Sequence, residues 1–196
     1  MNPYSLPTSV NVGGKEYKIR SDYRAILDIL ISQNDPDLDE RAKAFVFLKI
    51  FYPDWQEIPA AQIEEAMEKA VDFIDCGQKD RGGGRKKPRL VDWEQDAGLI
   101  IPAVNAVAHT EVRAVPYMHW WTFFAYYLEI GESLFSDVVS IRAKKAKGKK
   151  LEKHEREFYR ENRNLIVLKS TDRDSRDTED FLERWLTGEE VNSDGE

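Results

Sequence analysis

The hydrophobic pattern of the chain changes period early. In residues 8–20, TSVNVGGKEYKIR, Val10 and Val12 alternate with polar positions, Gly13-Gly14 intervene, and Tyr17 and Ile19 resume the alternation. A period of two on either side of residues that tolerate positive φ predicts a β-hairpin with one apolar face. A lone hairpin is marginal in water, so that face has to rest on the rest of the chain. From Ser21 onward the period becomes helical. Ser21 or Asp22 can cap a helix in which Tyr23, Ile26, Leu27 and Leu30 fall at i, i+3, i+4 and i+7, and Asn34-Asp35-Pro36 ends it. A second helix is predicted from about Asp39 to Tyr52, burying Phe45, Leu48 and Phe51, with Pro53 as its stop. A third runs from about Ala60 to Cys76 on a stripe of Ile63, Met67, Ala70, Val71 and Ile74, with Gly77 as its C-cap.

Residues 77–89, GQKDRGGGRKKPR, interrupt the pattern. Six Lys/Arg against one Asp, with a glycine triplet and a proline, cannot build a core. They predict a flexible basic linker between an N-terminal unit, 1–76, and a helical C-terminal unit, 90–187. The second unit opens with a helix from about Asp92 to His109 that buries Leu99, Ile100, Ala103 and Val107. Pro102 inside it predicts a kink or a late start. Pro116 to Leu128 is predicted as one helix ended by Gly131. Its aromatics occupy nearly every face, so it is expected to be central or enclosed by a partner. Ser136 is expected to cap a helix through Val138, Val139 and Ile141 that turns basic from Arg142 to Lys150 and breaks at Gly148. Residues 151–168 read as a highly charged helix. Thr178 can cap a short one carrying Phe181, Leu182, Trp185 and Leu186, and an acidic tail, 188–196, is expected to be disordered. The fold class expected is mainly α: a multi-helix bundle with a small N-terminal β-hairpin.

Composition narrows the functional classes. A net charge of −7 over 196 residues opposes nucleic acid as the main partner, because phosphate binding needs a cationic face. Cys76 is the only cysteine, so no intrachain disulfide can form, which suits a reducing cytoplasm. The opening MNPYSLPTSVNV lacks the basic and apolar regions of a signal peptide, and no run reaches the ~18 apolar residues of a membrane span.

Candidate chemistry is sparse. His119 stands between Met118 and Trp120 with no His or Cys partner at i+3 or i+4, no HExxH and no paired carboxylates. It reads as a buried imidazole bonded to a neighbour. Trp120 and Trp121 point about 100° apart on a helix, so one can enter the core while the other meets a neighbouring helix or subunit. Gly82-Gly83-Gly84-Arg85-Lys86-Lys87 lacks the spacing of a phosphate loop. Glu94 and Asp96 suit a helix start better than acid–base work. The basic run 142–150 is matched by an acidic segment, 170–196, and opposite charge within one chain favours self-association or intramolecular docking as much as nucleic acid. No catalytic, cofactor-binding or metal-ligating residue is predicted, so the chain is expected not to be an enzyme.

Two stretches carry a resemblance. One is Asp92-Trp93-Glu94-Gln95-Asp96, then Leu99 to Ala103, then His119-Trp120-Trp121 with Phe123, leading to Ile141-Arg142. The other is Leu6-Pro7, Gly14, Tyr17, Ile19 and Asp22-Tyr23-Arg24. Together, over about residues 5–145, they resemble the bacteriophage gene-product-fifteen family. The resemblance implies a tail assembly chaperone of a long-tailed phage. Such a protein coats and solubilises the tape-measure protein, helps recruit tail-tube subunits, works in the host cytoplasm and is absent from the mature virion. It implies the tape-measure protein as partner, with the major tail protein and self-association as further candidates, and no cofactor. Helix-in-groove recognition of an apolar stripe fits that task, with some of Trp120, Trp121, Phe124 and Tyr127 lining the contact. The competing expectation is a phage-encoded DNA-binding regulator that uses residues 79–89 or 142–150.

Overall fold

A computed structural model of the chain describes residues 4–77 and 88–169. The hairpin forms as the alternation predicts. Strands β1 (Ser9–Val12) and β2 (Lys15–Lys18) pair antiparallel with Val10 opposite Tyr17. Gly13 and Gly14 both take positive φ, at 56° and 84°, which the two-residue hairpin turn requires. Val10, Val12, Tyr17 and Ile19 are buried on one face. That face packs onto the helical body, where the Gly13 amide donates to Glu65 Oε2 at 3.0 Å.

Helix α1 (Tyr23–Gln33) starts at Asp22, whose carboxylate accepts from the Arg24 amide. Helix α2 (Glu40–Phe51) starts at Asp39, which accepts from the Ala42 amide. The two pack on one another. The buried face of α2 is Phe47, Leu48 and Phe51. Phe45 is 46 % exposed and instead meets the edge of Trp55, with Lys49 over its ring. The segment AFVFLKIF offers two apolar stripes, and tertiary packing selected the one through Phe47.

Helix α3 (Ile63–Ile74) shows a similar rotation. Its buried residues are Ala66, Ala70 and Phe73, whereas Val71 is exposed and Ile63, Met67 and Ile74 are only partly covered. Small side chains let the helix backbone approach its neighbours closely. Tyr52 Oη donates to the Ala66 carbonyl at 2.8 Å. The helix closes with the Gly77 amide on Asp72 O and the Cys76 amide on Phe73 O, so the first left-handed residue is Cys76, at φ 55°, ahead of Gly77.

Beyond the basic stretch, residues 93–96 form a turn and α4 begins at Ala97, ending at Ala108. This is the late start that Pro102 suggested, and the helix then continues through that proline. Pro102 and Gly98 are both exposed, so the Gly98 carbonyl that loses its i+4 donor faces water. The buried residues are Ile100, Ala103 and Val104. Helix α5 (Trp120–Leu128) is shorter than predicted. Residues 116–119 precede it as a connector that bridges to the start of α1. Helix α6 (Leu134–Ala146) is capped by Ser133 in a reciprocal box with Ser136, the residue expected to be the cap itself. Gly148, at φ 64°, closes it. Helices α7 (Lys153–Glu161) and α8 (Arg163–Ile166) follow. The helix expected from Thr178, the acidic tail and most of the 77–89 linker lie outside the described residues.

The fold is mainly α with a two-stranded hairpin. One hydrophobic core runs from Val10 to Phe135 and draws on both sides of the 77–89 stretch, with Phe51, Phe73, Trp120 and Phe123 at its centre. A smaller cluster of Val138, Ile141 and Ile166 joins α6 to α8.

Arg142, expected on a basic helix face, is buried at the junction between these clusters. It pairs with Asp96 through Nη1–Oδ2 at 2.6 Å and Nη2–Oδ1 at 2.8 Å. Its remaining N–H groups donate to the carbonyls of Leu90, Leu165 and Ile166. Asp96 also accepts the Asp92 amide at 2.9 Å. Removing one member of a buried pair leaves an uncompensated charge, so Arg142→Met is expected to destabilise the protein by about 3–5 kcal/mol. In urea unfolding, the double variant Arg142→Met/Asp96→Leu should lose less than the sum of the two single losses. A single variant as stable as the parent protein would contradict this account.

Candidate functional site

Two parts of the family-like pattern, Asp22-Tyr23-Arg24 and His119-Trp120-Trp121, meet at the start of α5. The Tyr23 amide donates to Met118 O at 2.9 Å, and the Trp120 amide donates to Ser21 O at 2.7 Å. Asp22 caps α1 with one oxygen and takes the Met118 amide on the other, at 3.1 Å. Tyr23 and Phe123 stack at 4.3 Å. The stretch Asp22-Tyr23-Arg24 therefore lies directly against His119-Trp120-Trp121. Arg24 extends the joint by donating to the carbonyls of Val112, Arg113 and Val115.

His119 is the N-cap of α5. Its Nδ1 accepts the Trp121 amide at 3.1 Å, so Nδ1 carries no proton. Nε2 then holds the hydrogen and donates to Pro7 O at 3.0 Å. Burial pushes the imidazole pKa below its ordinary value of 6.5, and the bond to Pro7 only partly opposes this. Both ring nitrogens are occupied by backbone groups, which matches the structural role expected of this residue.

The two adjacent tryptophans close the end of α3. Trp120 Nε1 donates to Ile74 O and Trp121 Nε1 to Phe73 O, each at 2.8 Å. The last carbonyls of a helix have no partner within it, and here two indoles supply them. The four residues expected to line a partner contact then separate. Trp120 is 1 % exposed and has no surface to offer, a correction that follows from its place in the core between Trp93, Phe123 and Phe124. Phe124 and Tyr127 are half-buried in an aromatic ladder. Tyr127 lies 4.9 Å from Trp93, 5.7 Å from Phe124 and 5.8 Å from Phe135. Burial raises the pKa of the Tyr127 hydroxyl. Trp121 is half-buried and stands at the head of an outward strip with Ala125 and Leu128, at i, i+4 and i+7. Leu128 is 58 % exposed. It was missed as a candidate, although the helical period from Trp121 points to it.

The basic run 142–150 is committed to the fold in its first half, while Lys147, Lys149 and Lys150 are exposed. Arg142 is buried, Lys144 pairs with Glu155 at 2.5 Å, and Lys145 Nζ stands 3.7 Å over the Tyr159 ring. Arg89 pairs with Asp92, while residues 79–87 lie outside the described residues. A cleft of about 300 Å³ between α1 and the 92–94 turn has Trp93 in its wall and is rimmed by Asp35, Asp92 and Glu94. Among the described residues, no group of three His, Cys, Asp or Glu is placed to hold a metal ion. No described helix is long and apolar enough to cross a membrane. Burial pushes the Cys76 thiol up to about 11, which keeps it protonated at neutral pH.

The His119 geometry has a pH signature. As pH falls, the unfolded chain takes up the proton first, because the folded ring resists it. Stability is therefore full above 6.5, declines as pH falls through that value, and levels off below the folded pKa. Histidine NMR should find the Nε2–H tautomer at neutral pH with a midpoint below 6.5. His119→Asn keeps a cap acceptor and should flatten the stability change between about pH 7.5 and 5.5. An Nδ1–H tautomer would refute the assignment.

Comparison with curated proteins and with solved structures finds no match to either. A family model described as Bacteriophage Gp15 protein matches residues 4–168, which reaches past the 5–145 span of the resemblance and takes in α7 and α8. The chain, whose aromatic helix is joined to the opening of α1 as described, belongs to this bacteriophage family.

Proposed function

We propose that this protein is a tail assembly chaperone of a long-tailed phage. It binds and solubilises the tape-measure protein, helps recruit tail-tube subunits in the host cytoplasm and leaves before the virion is complete. The reading makes it a binding protein and not an enzyme, with no cofactor. The family match over residues 4–168 carries the proposal. The outward strip of Trp121, Ala125 and Leu128 on α5 supplies a surface for it. A tape-measure protein is a long helical rod with repeating apolar stripes, and a stripe of that kind can be received by an apolar helix face on a rigid body. The strip is rigid because Trp121 is tied to α3 and the helix start is fixed by His119. Contact with the major tail protein and self-association extend the same reading.

A DNA-binding regulator is the weaker alternative, because three of the six Lys/Arg of 142–150, namely Arg142, Lys144 and Lys145, are engaged within the protein and the chain carries a net charge of −7. Co-expression with the tape-measure protein of the same phage tests the proposal. The wild-type chain is expected to move the tape-measure protein into the soluble fraction. Ala125→Glu/Leu128→Glu is expected to abolish that transfer while leaving the melting temperature nearly unchanged, since both sites are exposed. An unchanged insoluble fraction with wild-type chaperone, or a DNA duplex shifted at about 150 mM salt, would reject it.

A further inference from the structure

The α6–α7 corner presents cationic groups that form no ion pair among the described residues, although Glu152, Glu157 and Glu161 stand nearby on the same exposed surface. Among the described residues, Lys149, Lys150, Lys153, Arg156 and Arg160 take part in no ion pair, and all are exposed. This contrasts with Lys144 and Lys145, which are engaged by Glu155 and Tyr159. On the outer side of α7 lies an open groove of about 450 Å³, lined by Lys153, Arg156, Glu157, Tyr159 and Arg160. Its rim carries three cations against the one carboxylate of Glu157. Its floor is the Tyr159 ring, which is half-buried and held by Lys145.

The chain supplies a segment of matching chemistry. Residues 170–196 contain ten Asp/Glu against three Arg, and Phe181, Leu182, Trp185 and Leu186 stand among the acids. Their point of departure is fixed at the turn before α4. The Lys169 amide donates to Gln95 Oε1 at 3.0 Å, and α8, which packs on both α6 and α7, ends three residues earlier. Reach is no obstacle. Nine extended residues span up to about 30 Å, whereas the nine residues of α7 are about 13 Å long. Tethering on so short a connection gives an effective concentration in the millimolar range, enough for a contact built from charge and a few apolar anchors.

We propose that the acidic segment 170–196 of this chain docks in cis on the α6–α7 face. Its carboxylates meet Lys153, Arg156 and Arg160, and its apolar residues meet the Tyr159 floor. Trp185 and the arginines of the groove form the pair best suited to stacking. The contact screens a cationic face from phosphate polyanions, which any cell holds in excess and which such a face would bind without sequence preference. It is independent of the partner proposed above and is read on the isolated protein.

A nitroxide placed at Thr187→Cys in a Cys76→Ser background tests it through paramagnetic broadening of amide signals. At about 0.01 M salt, where the Debye length is about 30 Å, amides of residues 149–163 are expected to lose most of their intensity. The intensity should return at about 1 M salt, and in the variant Lys153→Glu/Arg156→Glu/Arg160→Glu at low salt. Intact α7 in that variant, at an exposed face, is checked from its own amide shifts. Broadening that is absent from α7, that survives the triple reversal, or that falls on the Trp121 strip overturns the assignment. Broadening of isotope-labelled, nitroxide-free molecules mixed with nitroxide-bearing ones would make a second copy the occupant and overturn the docking in cis.

Discussion

Arg142 uses all five of its N–H groups, two on Asp96 and three on the carbonyls of Leu90, Leu165 and Ile166. The backbone groups it satisfies belong to segments with little apolar surface of their own. The stretch entering α4 and the short helix α8 would otherwise meet α6 through only a handful of side chains. A guanidinium in a low-dielectric setting is tolerated only when every donor is paired. The geometry of three chain segments, the stretch entering α4, α6 and α8, is therefore set by one side chain. The small cluster of Val138, Ile141 and Ile166 then fills the space around it.

The aromatic helix is the second organiser, and it works through polar edges as much as through apolar area. Two indole N–H groups complete the end of α3, an imidazole nitrogen starts α5, and a tyrosine hydroxyl meets the backbone of α3 about two turns earlier. Each large ring thus fills volume and also closes a hydrogen bond that a plain aliphatic core would leave open. The outer strip of α5 inherits this rigidity. A surface held in place from behind loses little entropy when a partner arrives.

Much of the architecture was legible from local chemistry. The hairpin could be read because the alternation and the glycine pair agree. The first cap could be narrowed to Ser21 or Asp22, the start of α2 to about Asp39 and the closure of α6 to Gly148, because short side chains and φ > 0 have few other uses there. Where several apolar stripes competed, as in α2 and α3, the period alone could not choose between them, and close approach through Ala66 and Ala70 decided the outcome. Arg142 was hidden inside a run of lysines, where composition suggests solvent, and its partner Asp96 stands 46 residues away. The family-like pattern contains both residues without revealing that they touch. For the candidate surface, the adjacent tryptophans were found but not their division of labour. Burial is a property of the assembled core, and only the assembled core shows that Trp120 faces in and that Leu128 faces out.

The bond from His119 to Pro7 closes a separation of 112 residues. The residues that lead into the first strand therefore gain this partner only from a portion of the chain synthesised much later. At roughly 5–20 residues per second, the opening segment spends several seconds on the ribosome before α5 emerges. During that interval the apolar face of a marginal hairpin has α1 to α3 alone for cover. The early helices keep that cover in the finished fold, where β1 packs on α3 and Gly13 is held by Glu65, and the aromatic helix adds the last clasp when it is made.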